Sequence, residues 1–134
     1  MINVFTNGCF YILHSGHIDL FKKIKEMFNY NCKLIVGVNS NYSTQKLNDN
    51  RPYIMSDSDR RDIISSIKYV DEVYSFNELT PIELIRRINP DYIVKGGDYA
   101  HKNICGSEEV KGTIILNLYG NYSTSQILKT INNK

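Results

Sequence analysis

Short apolar runs alternate with longer stretches of helical periodicity along this sequence, and that alternation limits the fold more than any other feature. The apolar runs have the length of buried strands, and the stretches between them repeat apolar side chains at three- and four-residue spacing. Strands separated by helices need crossover connections, which are almost always right-handed, so the strands should be mainly parallel. The predicted strands cover residues 2–5, 34–38, 72–75, 92–94 and 113–118.

Four helices are predicted between and after these strands. The apolar face of the first consists of Leu20, Phe21, Ile24, Met27 and Phe28. Ser56 is the predicted N-cap of the second, Thr80 opens a capping box with Pro81 at the first helical position of the third, and Ser123 begins the last. The fold class is therefore α/β, a doubly wound, mainly parallel five-stranded sheet with helices on both faces.

The chain length of 134 residues fits one globular domain, and we expect a single domain over residues 1–134. In an open parallel sheet ligands bind beyond the carboxyl ends of the strands. The segments there are 6–17, 39–51, 95–107 and 119–125, all rich in Gly, Asn, Ser or His. Within them, the Asn-rich residues 39–50 are predicted to form a long surface loop.

Composition excludes several other classes of protein. The 16 basic and 14 acidic residues are scattered, without the basic clusters that mark a nucleic-acid or membrane surface. Three cysteines, Cys9, Cys32 and Cys105, fit no disulfide framework or usual zinc spacing, which favours free thiols in a reducing compartment. No apolar run reaches the roughly 20 residues of a membrane span, and the first residues lack the pattern of a secretory signal. We expect a cytoplasmic protein.

The segment after the first strand carries the residues with most chemical potential. It reads TNGCFYILHSGH over 6–17, where Gly8 permits close backbone approach and two histidines, His14 and His17, flank the start of a helix. A phosphate there would meet backbone N–H groups, the helix dipole and both imidazoles, which suits phosphoryl or nucleotidyl transfer.

Each of these features also has a plain structural interpretation. A histidine at a helix start is often only a cap, and His14, His17 and Cys9 would form a weak metal site. The pair Gly96 and Gly97 fits a tight turn, and the serines and threonine at 123–125 fit an ordinary helix cap.

These residues resemble a known family, the cytidylyltransferase-like nucleotidyltransferases, whose signature is Gly-x-Phe-Asp-x-x-His-x-Gly-His. Residues 8–17 read GCFYILHSGH, and the likeness continues with VNS at 38–40, RP at 51–52, TPIELI at 80–85, PD at 90–91 and ST at 123–124. NGCF at 7–10, VKGGDY at 94–99 and CGSEEV at 105–110 are most similar to the adenylyltransferase branch of ADP-heptose synthesis. YVDEV at 69–73 also resembles the glycerol-3-phosphate cytidylyltransferase branch.

The resemblance implies a Rossmann-like nucleotidyltransferase fold and a role for each matching residue. His14 and His17 would stabilise the transition state, and Lys46 would neutralise phosphates. The implied nucleotide-binding residues are Asn7, Gly8, Cys9, Phe10, Gly16, Arg60, Gly96, Gly97, Asp98, Ser123, Thr124 and Ser125. Also implied are in-line attack on the α-phosphorus, Mg²⁺ as cofactor, a nucleoside triphosphate (ATP favoured), a phosphorylated sugar or polyol as acceptor, and a homodimer.

One residue departs from the family signature, because Tyr11 stands where the family has aspartate. A phenol cannot hold a cation as a carboxylate does, but it can donate a hydrogen bond and stack on a sugar, so we assign Tyr11 to acceptor binding. The leading hypothesis is an adenylyltransferase for a sugar 1-phosphate similar to heptose 1-phosphate. The alternatives are a cytidylyltransferase for a polyol phosphate, a nucleotide-binding module without catalysis and, third, a redox or metal-dependent hydrolase.

Overall fold

The structure is a computed structural model that describes residues 1–97 and 103–116. Its five strands are β1 (Ile2–Gly8), β2 (Cys32–Asn39), β3 (Glu72–Phe76), β4 (Tyr92–Gly96) and β5 (Gly112–Leu116). The helices are α1 (Ser15–Met27), α2 (Asn41–Leu47), α3 (Asp57–Ser65) and α4 (Ile82–Ile88), with a 3₁₀ turn at Ser107–Glu109. The predicted last helix and the site residues Asp98, Ser123, Thr124 and Ser125 lie outside the described residues.

All strand pairs in the sheet are parallel, and the order is β3-β2-β1-β4-β5. The chain builds outwards from β1 to β3 and then returns to the other side of β1, so its winding direction reverses between β1 and β4. Such a reversal leaves a crevice at the carboxyl ends of the two strands, where ligands of open α/β sheets bind.

Two apolar cores cover the two faces of the sheet, and β1 contributes side chains to both. Val4 packs with Phe21 and Ile64, so α1 and α3 lie on one face, whereas Phe5 packs with Leu84 and α4 on the other. Helices on both faces of a parallel sheet confirm the predicted doubly wound α/β class. In the part of the chain that the structure describes, no helix is long and apolar enough to cross a bilayer.

Two local predictions were wrong. The predicted loop at 39–50 contains α2, whose N-cap Ser40 accepts a hydrogen bond from the Ser43 amide at 3.2 Å. This helix has no apolar stripe, because its buried side chains are Ser43 and the hydrogen-bonded Thr44. The capping box predicted at Thr80 is also absent: α4 begins one residue later, with Pro81 as an N-cap that makes no side-chain hydrogen bond.

Candidate active site

The loop after β1 forms the floor of the crevice and is tightly folded. Phe10 adopts a left-handed backbone conformation with φ of 50°, which is uncommon for a residue other than glycine. Its buried ring turns back over Gly8, so that a Cβ at Gly8 would lie 3.4 Å from the ring. The ring also packs edge-on against His17, with 5.1 Å between the ring centroids. Gly8 and Phe10 therefore shape the loop that carries the histidine pair.

His14 and His17 are held by reciprocal hydrogen bonds at the start of α1. His14 is the N-cap and its Nδ1 accepts from the Gly16 amide at 3.1 Å, while His17 Nδ1 accepts from the His14 amide at 3.2 Å. The two rings lie 3.9 Å apart between centroids. Since both Nδ1 atoms accept, the proton of each neutral imidazole is on Nε2. The pair therefore offers two Nε2–H donors beside the positive end of a thirteen-residue helix.

Both histidines are neutral at pH 7. Burial, together with the neighbouring His14 ring, lowers the pKa of His17 from 6.5 to about 4. Burial also lowers the pKa of His14. Neutral donors of fixed orientation can bind phosphoryl oxygens, and the interaction strengthens as negative charge develops on them.

Arg60 lies beneath this loop and has no solvent exposure. Its guanidinium donates to the carbonyls of Cys9 at 2.6 Å, Asn39 at 2.7 Å and Met55 at 3.1 Å. It also donates to Thr44 Oγ1 at 3.0 Å and to Asn41 Oδ1 at 3.2 Å. Arg60 thus joins the loop after β1 to β2, α2 and the start of α3. All of these bonds are to protein atoms, and the side chain lies below the loop. The assignment of Arg60 as a nucleotide contact therefore stays a prediction.

Tyr11 is also buried, and its hydroxyl donates a hydrogen bond to the Pro52 carbonyl. The Arg51 guanidinium lies over the Tyr11 ring, 5.9 Å from its centroid, and its Nε donates to the Asn48 carbonyl at 3.1 Å. Tyr11 therefore fastens the segment between α2 and α3 to the loop after β1. Because the hydroxyl is bonded to Pro52, Tyr11 could contact the acceptor only with its ring, or indirectly by positioning the segment between α2 and α3.

Lys46 and Cys9, two further predicted site residues, have different surroundings. Lys46 lies in the last turn of α2 rather than in a loop; its side chain is exposed, with Nζ 5.8 Å from the Tyr42 ring centroid. Cys9 is half-buried, and burial raises the pKa of its thiol despite hydrogen bonds to Thr44 and Asn48. Cys9 is consequently a neutral thiol rather than a nucleophile.

The far side of the crevice is formed by the end of β4. Gly96 ends the strand, and Gly97 follows with φ of 110°, a conformation that favours glycine. The Gly97 amide donates a hydrogen bond to the Leu116 carbonyl at 3.0 Å, which ties this turn to β5. Lys95, which precedes the glycines, reaches across the crevice to Asn7 and was missed as a site residue. The sequence does indicate Lys95 in one way, because a lysine directly follows the apolar run of a buried strand.

The described residues contain no group of three His, Cys, Asp or Glu side chains that could hold a metal ion. The pair His14 and His17 turns both Nδ1 atoms to backbone amides, which leaves only Nε2 of each ring for any other partner. The described side chains thus do not form a metal cage by themselves.

Sequence comparison finds a matching family model and several similar proteins. A family model described as cytidylyltransferase-like matches residues 5–129. The bifunctional protein HldE of Helicobacter pylori (strain Shi470) is 44% identical over 96% of this chain, and that of Wolinella succinogenes is 45% identical over 96%. The chain spans only 27% and 26% of those two proteins.

Solved structures show the same architecture. The lipopolysaccharide core biosynthesis protein from Thermoplasma volcanium GSS1 superposes with a TM-score of 0.73 at 25% identity, covering 90% of this chain and 99% of that one. A macrolide-efflux protein from Streptococcus pneumoniae, at 20% identity and a TM-score of 0.67, shares the fold over 97% of this chain and 51% of its own. The match of the family model to nearly the whole chain shows that the chain belongs to the cytidylyltransferase-like family of nucleotidyltransferases.

Proposed function

We propose that this protein transfers AMP from ATP to a sugar 1-phosphate, of the heptose 1-phosphate type, and releases pyrophosphate. The observation that carries the proposal is the histidine pair, which presents two neutral Nε2–H donors at the start of α1 beside the crevice. The choice of ATP and heptose rests on the VKGGDY and CGSEEV segments and on the similarity to HldE proteins. Because the chain spans about a quarter of those relatives, their other activities are not carried over.

The proposed reaction is a single in-line displacement. A phosphate oxygen of the acceptor forms a bond to the α-phosphorus, and the bond from that phosphorus to the bridging oxygen of the β-phosphate breaks, so pyrophosphate leaves with the electron pair. His14 and His17 donate Nε2–H to phosphoryl oxygens and hold the charge that develops there. No covalent enzyme intermediate is needed.

The other predicted nucleotide contacts in the described part of the chain fall on both sides of the crevice. Asn7, Gly8, Cys9 and Phe10 lie in β1 and the loop after it, and Gly16 in the first turn of α1, which suits them to the triphosphate. Gly96 and Gly97 lie at the end of β4, on the side where we propose that the base and ribose bind. Lys46 would have to extend from α2 to reach the phosphates.

Mg²⁺ is part of the proposal as a companion of the triphosphate. Mg²⁺ in such sites keeps several waters and is bound largely by substrate phosphates, with one or two carboxylates. Since the described residues form no metal cage, we propose that it arrives with the nucleotide and supplies charge neutralisation to the leaving pyrophosphate. A homodimer and a cytoplasmic location remain part of the proposal on family resemblance and composition.

Two features favour other functions. The YVDEV segment resembles the cytidylyltransferase branch, which would use CTP and glycerol 3-phosphate. Tyr11, which replaces the family aspartate and bonds to Pro52, favours a module that binds nucleotide without turnover.

A pyrophosphate-release screen separates these functions. ATP and CTP are each offered with heptose 1-phosphate, hexose 1-phosphates and glycerol 3-phosphate, with Mg²⁺ present. We expect release with ATP and the heptose 1-phosphate. Release only with CTP and glycerol 3-phosphate would replace the proposal by the cytidylyltransferase, and nucleotide binding without release from any pair would favour the inactive module.

A further inference from the structure

The two strands that border the crevice part before their ends, and a lysine spans the gap. Backbone pairing between β1 and β4 begins where the Asp91 amide donates to the Asn3 carbonyl at 2.8 Å, and the ladder ends with Phe5 opposite Ile93. The pairing of β1 with β2, in contrast, continues as far as Gly8. Two residues beyond the end of the ladder between β1 and β4, Lys95 Nζ of β4 donates to both the carbonyl and the side-chain Oδ1 of Asn7, each at 3.0 Å. The side chain thus replaces the missing backbone link where a ligand would enter.

This contact fixes which way the Asn7 amide faces. An ammonium group can only donate, so the Asn7 atom that it touches must be Oδ1 and not Nδ2. Nδ2 consequently points away from Lys95, and it has no hydrogen-bond partner among residues 1–97 and 103–116. Asn7 lies near the end of β1, one residue before Gly8, and the loop that carries the histidine pair follows. Its two N–H donors are available to a ligand in the crevice.

Lys95 carries its positive charge in a largely buried position. Burial lowers its pKa to about 8, and the nearby Cys9 and Cys105 thiols act in the opposite direction. The amine is therefore still mainly protonated at pH 7 and donates to Asn7. A buried ammonium is costly unless its hydrogen bonds compensate, and the two bonds to Asn7 contribute to that compensation.

We propose that Lys95 is a positioning residue, which orients the Asn7 side chain so that its amide donors bind phosphate oxygens of the nucleotide. This assignment rests on the proposed function, because it needs a nucleotide in the crevice. Lys95 acts through Asn7 and does not itself touch the reacting atoms.

A double-mutant cycle on the full chain tests the assignment. The variants are Lys95→Met, Asn7→Ala and the two combined, with Lys95→Gln as a neutral replacement that keeps a donor. Lys111→Met is the matched control. Lys111 pairs with Asp91 at 3.1 Å between Nζ and Oδ1, and both residues directly precede β5 and β4, at the strand starts and away from the crevice. ATP affinity is measured by calorimetry with Mg²⁺ and no acceptor, CTP is measured in parallel, and the thermal midpoint of each variant is recorded.

We expect Lys95→Met and Asn7→Ala each to weaken ATP binding roughly tenfold, as for the loss of one hydrogen bond, and the combined variant to lose little more than either. Lys95→Gln should recover part of the affinity, and Lys111→Met should bind as the natural protein does. Additive losses, or a Lys95→Met protein that binds normally, would overturn the positioning role. If Lys95→Met does not fold, Lys95→Gln takes its place in the cycle, with a smaller loss expected and with additivity with Asn7→Ala as the result that would overturn the role. Failure of the natural protein to bind ATP or CTP would instead refute the proposed function, and the positioning role with it.

Discussion

Replacing the buried Arg60 by methionine should destabilise the fold. We expect this loss of stability to exceed any direct effect on nucleotide binding. The substitution keeps most of the side-chain volume but removes all five hydrogen bonds of the guanidinium. Thr44 Oγ1 still donates to the Asn39 carbonyl, and Asn41 Oδ1 still accepts from the Asp57 amide. The carbonyls of Cys9 and Met55 lose the donor that the guanidinium supplied.

An unsatisfied buried acceptor costs about 1–3 kcal/mol, and these two carbonyls are only partly buried, so each falls near the lower end of that range. We expect the free energy of unfolding to fall by about 2 kcal/mol, a substantial part of the roughly 5–15 kcal/mol of a typical domain. Urea unfolding followed by circular dichroism measures this difference. Arg61→Met is the control, since Arg61 is exposed on the same helix and should change stability by less than about 0.5 kcal/mol.

Calorimetry with ATP on the same Arg60→Met protein, under conditions where it is folded, completes the experiment. If stability changes by less than about 1 kcal/mol while ATP affinity is lost, the guanidinium contacts the nucleotide and our description of its buried role is wrong.

Three further predictions concern the histidine pair and Tyr11. His14→Asn should lower the rate of pyrophosphate release about 10²–10³-fold with little change in thermal midpoint, because asparagine still caps α1 but offers no Nε2–H; normal turnover would remove His14 from the active site. Between pH 6.5 and 4 the unfolded chain protonates His17, whereas the folded protein, in which the His17 pKa is about 4, stays neutral there. This residue should therefore lower the free energy of unfolding as the pH falls, by at most about 1.4 kcal/mol per pH unit. Urea titrations at pH 7, 6 and 5 should show a shallower pH dependence for His17→Gln, and equal slopes for both proteins would contradict the assigned neutral state. Tyr11→Asp and Tyr11→Phe should each change the ranking of acceptor phosphates by kcat/KM, with little change in ATP affinity, because both lose the bond to Pro52; unchanged ranking in both would make Tyr11 a packing residue.

The parallel sheet could be predicted because its apolar runs and crossovers leave few arrangements. The side chains of Val4 and Phe5 enter opposite cores, which a buried run of adjacent apolar residues already implies. The histidine pair could also be found, since a glycine between two histidines near a helix start points to one place in the fold.

The remaining features depend on contacts between distant parts of the chain. Helix α2 is held by hydrogen bonds of Ser43 and Thr44 to Asn39, which no hydrophobic period reveals. The resemblance assigns Arg60 to nucleotide binding, and only the folded structure shows that its side chain is buried among five acceptors. The hydroxyl of Tyr11 finds its partner 41 residues away, at Pro52. Local pattern carries no information on such partners.

The unequal pairing of β1 has a consequence for local unfolding. Its ladder to β2 extends from Ile2 to Gly8, whereas its ladder to β4 is confined to Val4 and Phe5. The sheet is therefore most weakly joined along the crevice, and β4 with β5 can open as a cooperative unit while β1, β2 and β3 stay paired. Amide hydrogens of β4 and β5 should then exchange faster than those of β2. A ligand that contacts both sides of the crevice would slow that exchange, and it would stabilise the sheet where its own backbone pairing is least extensive.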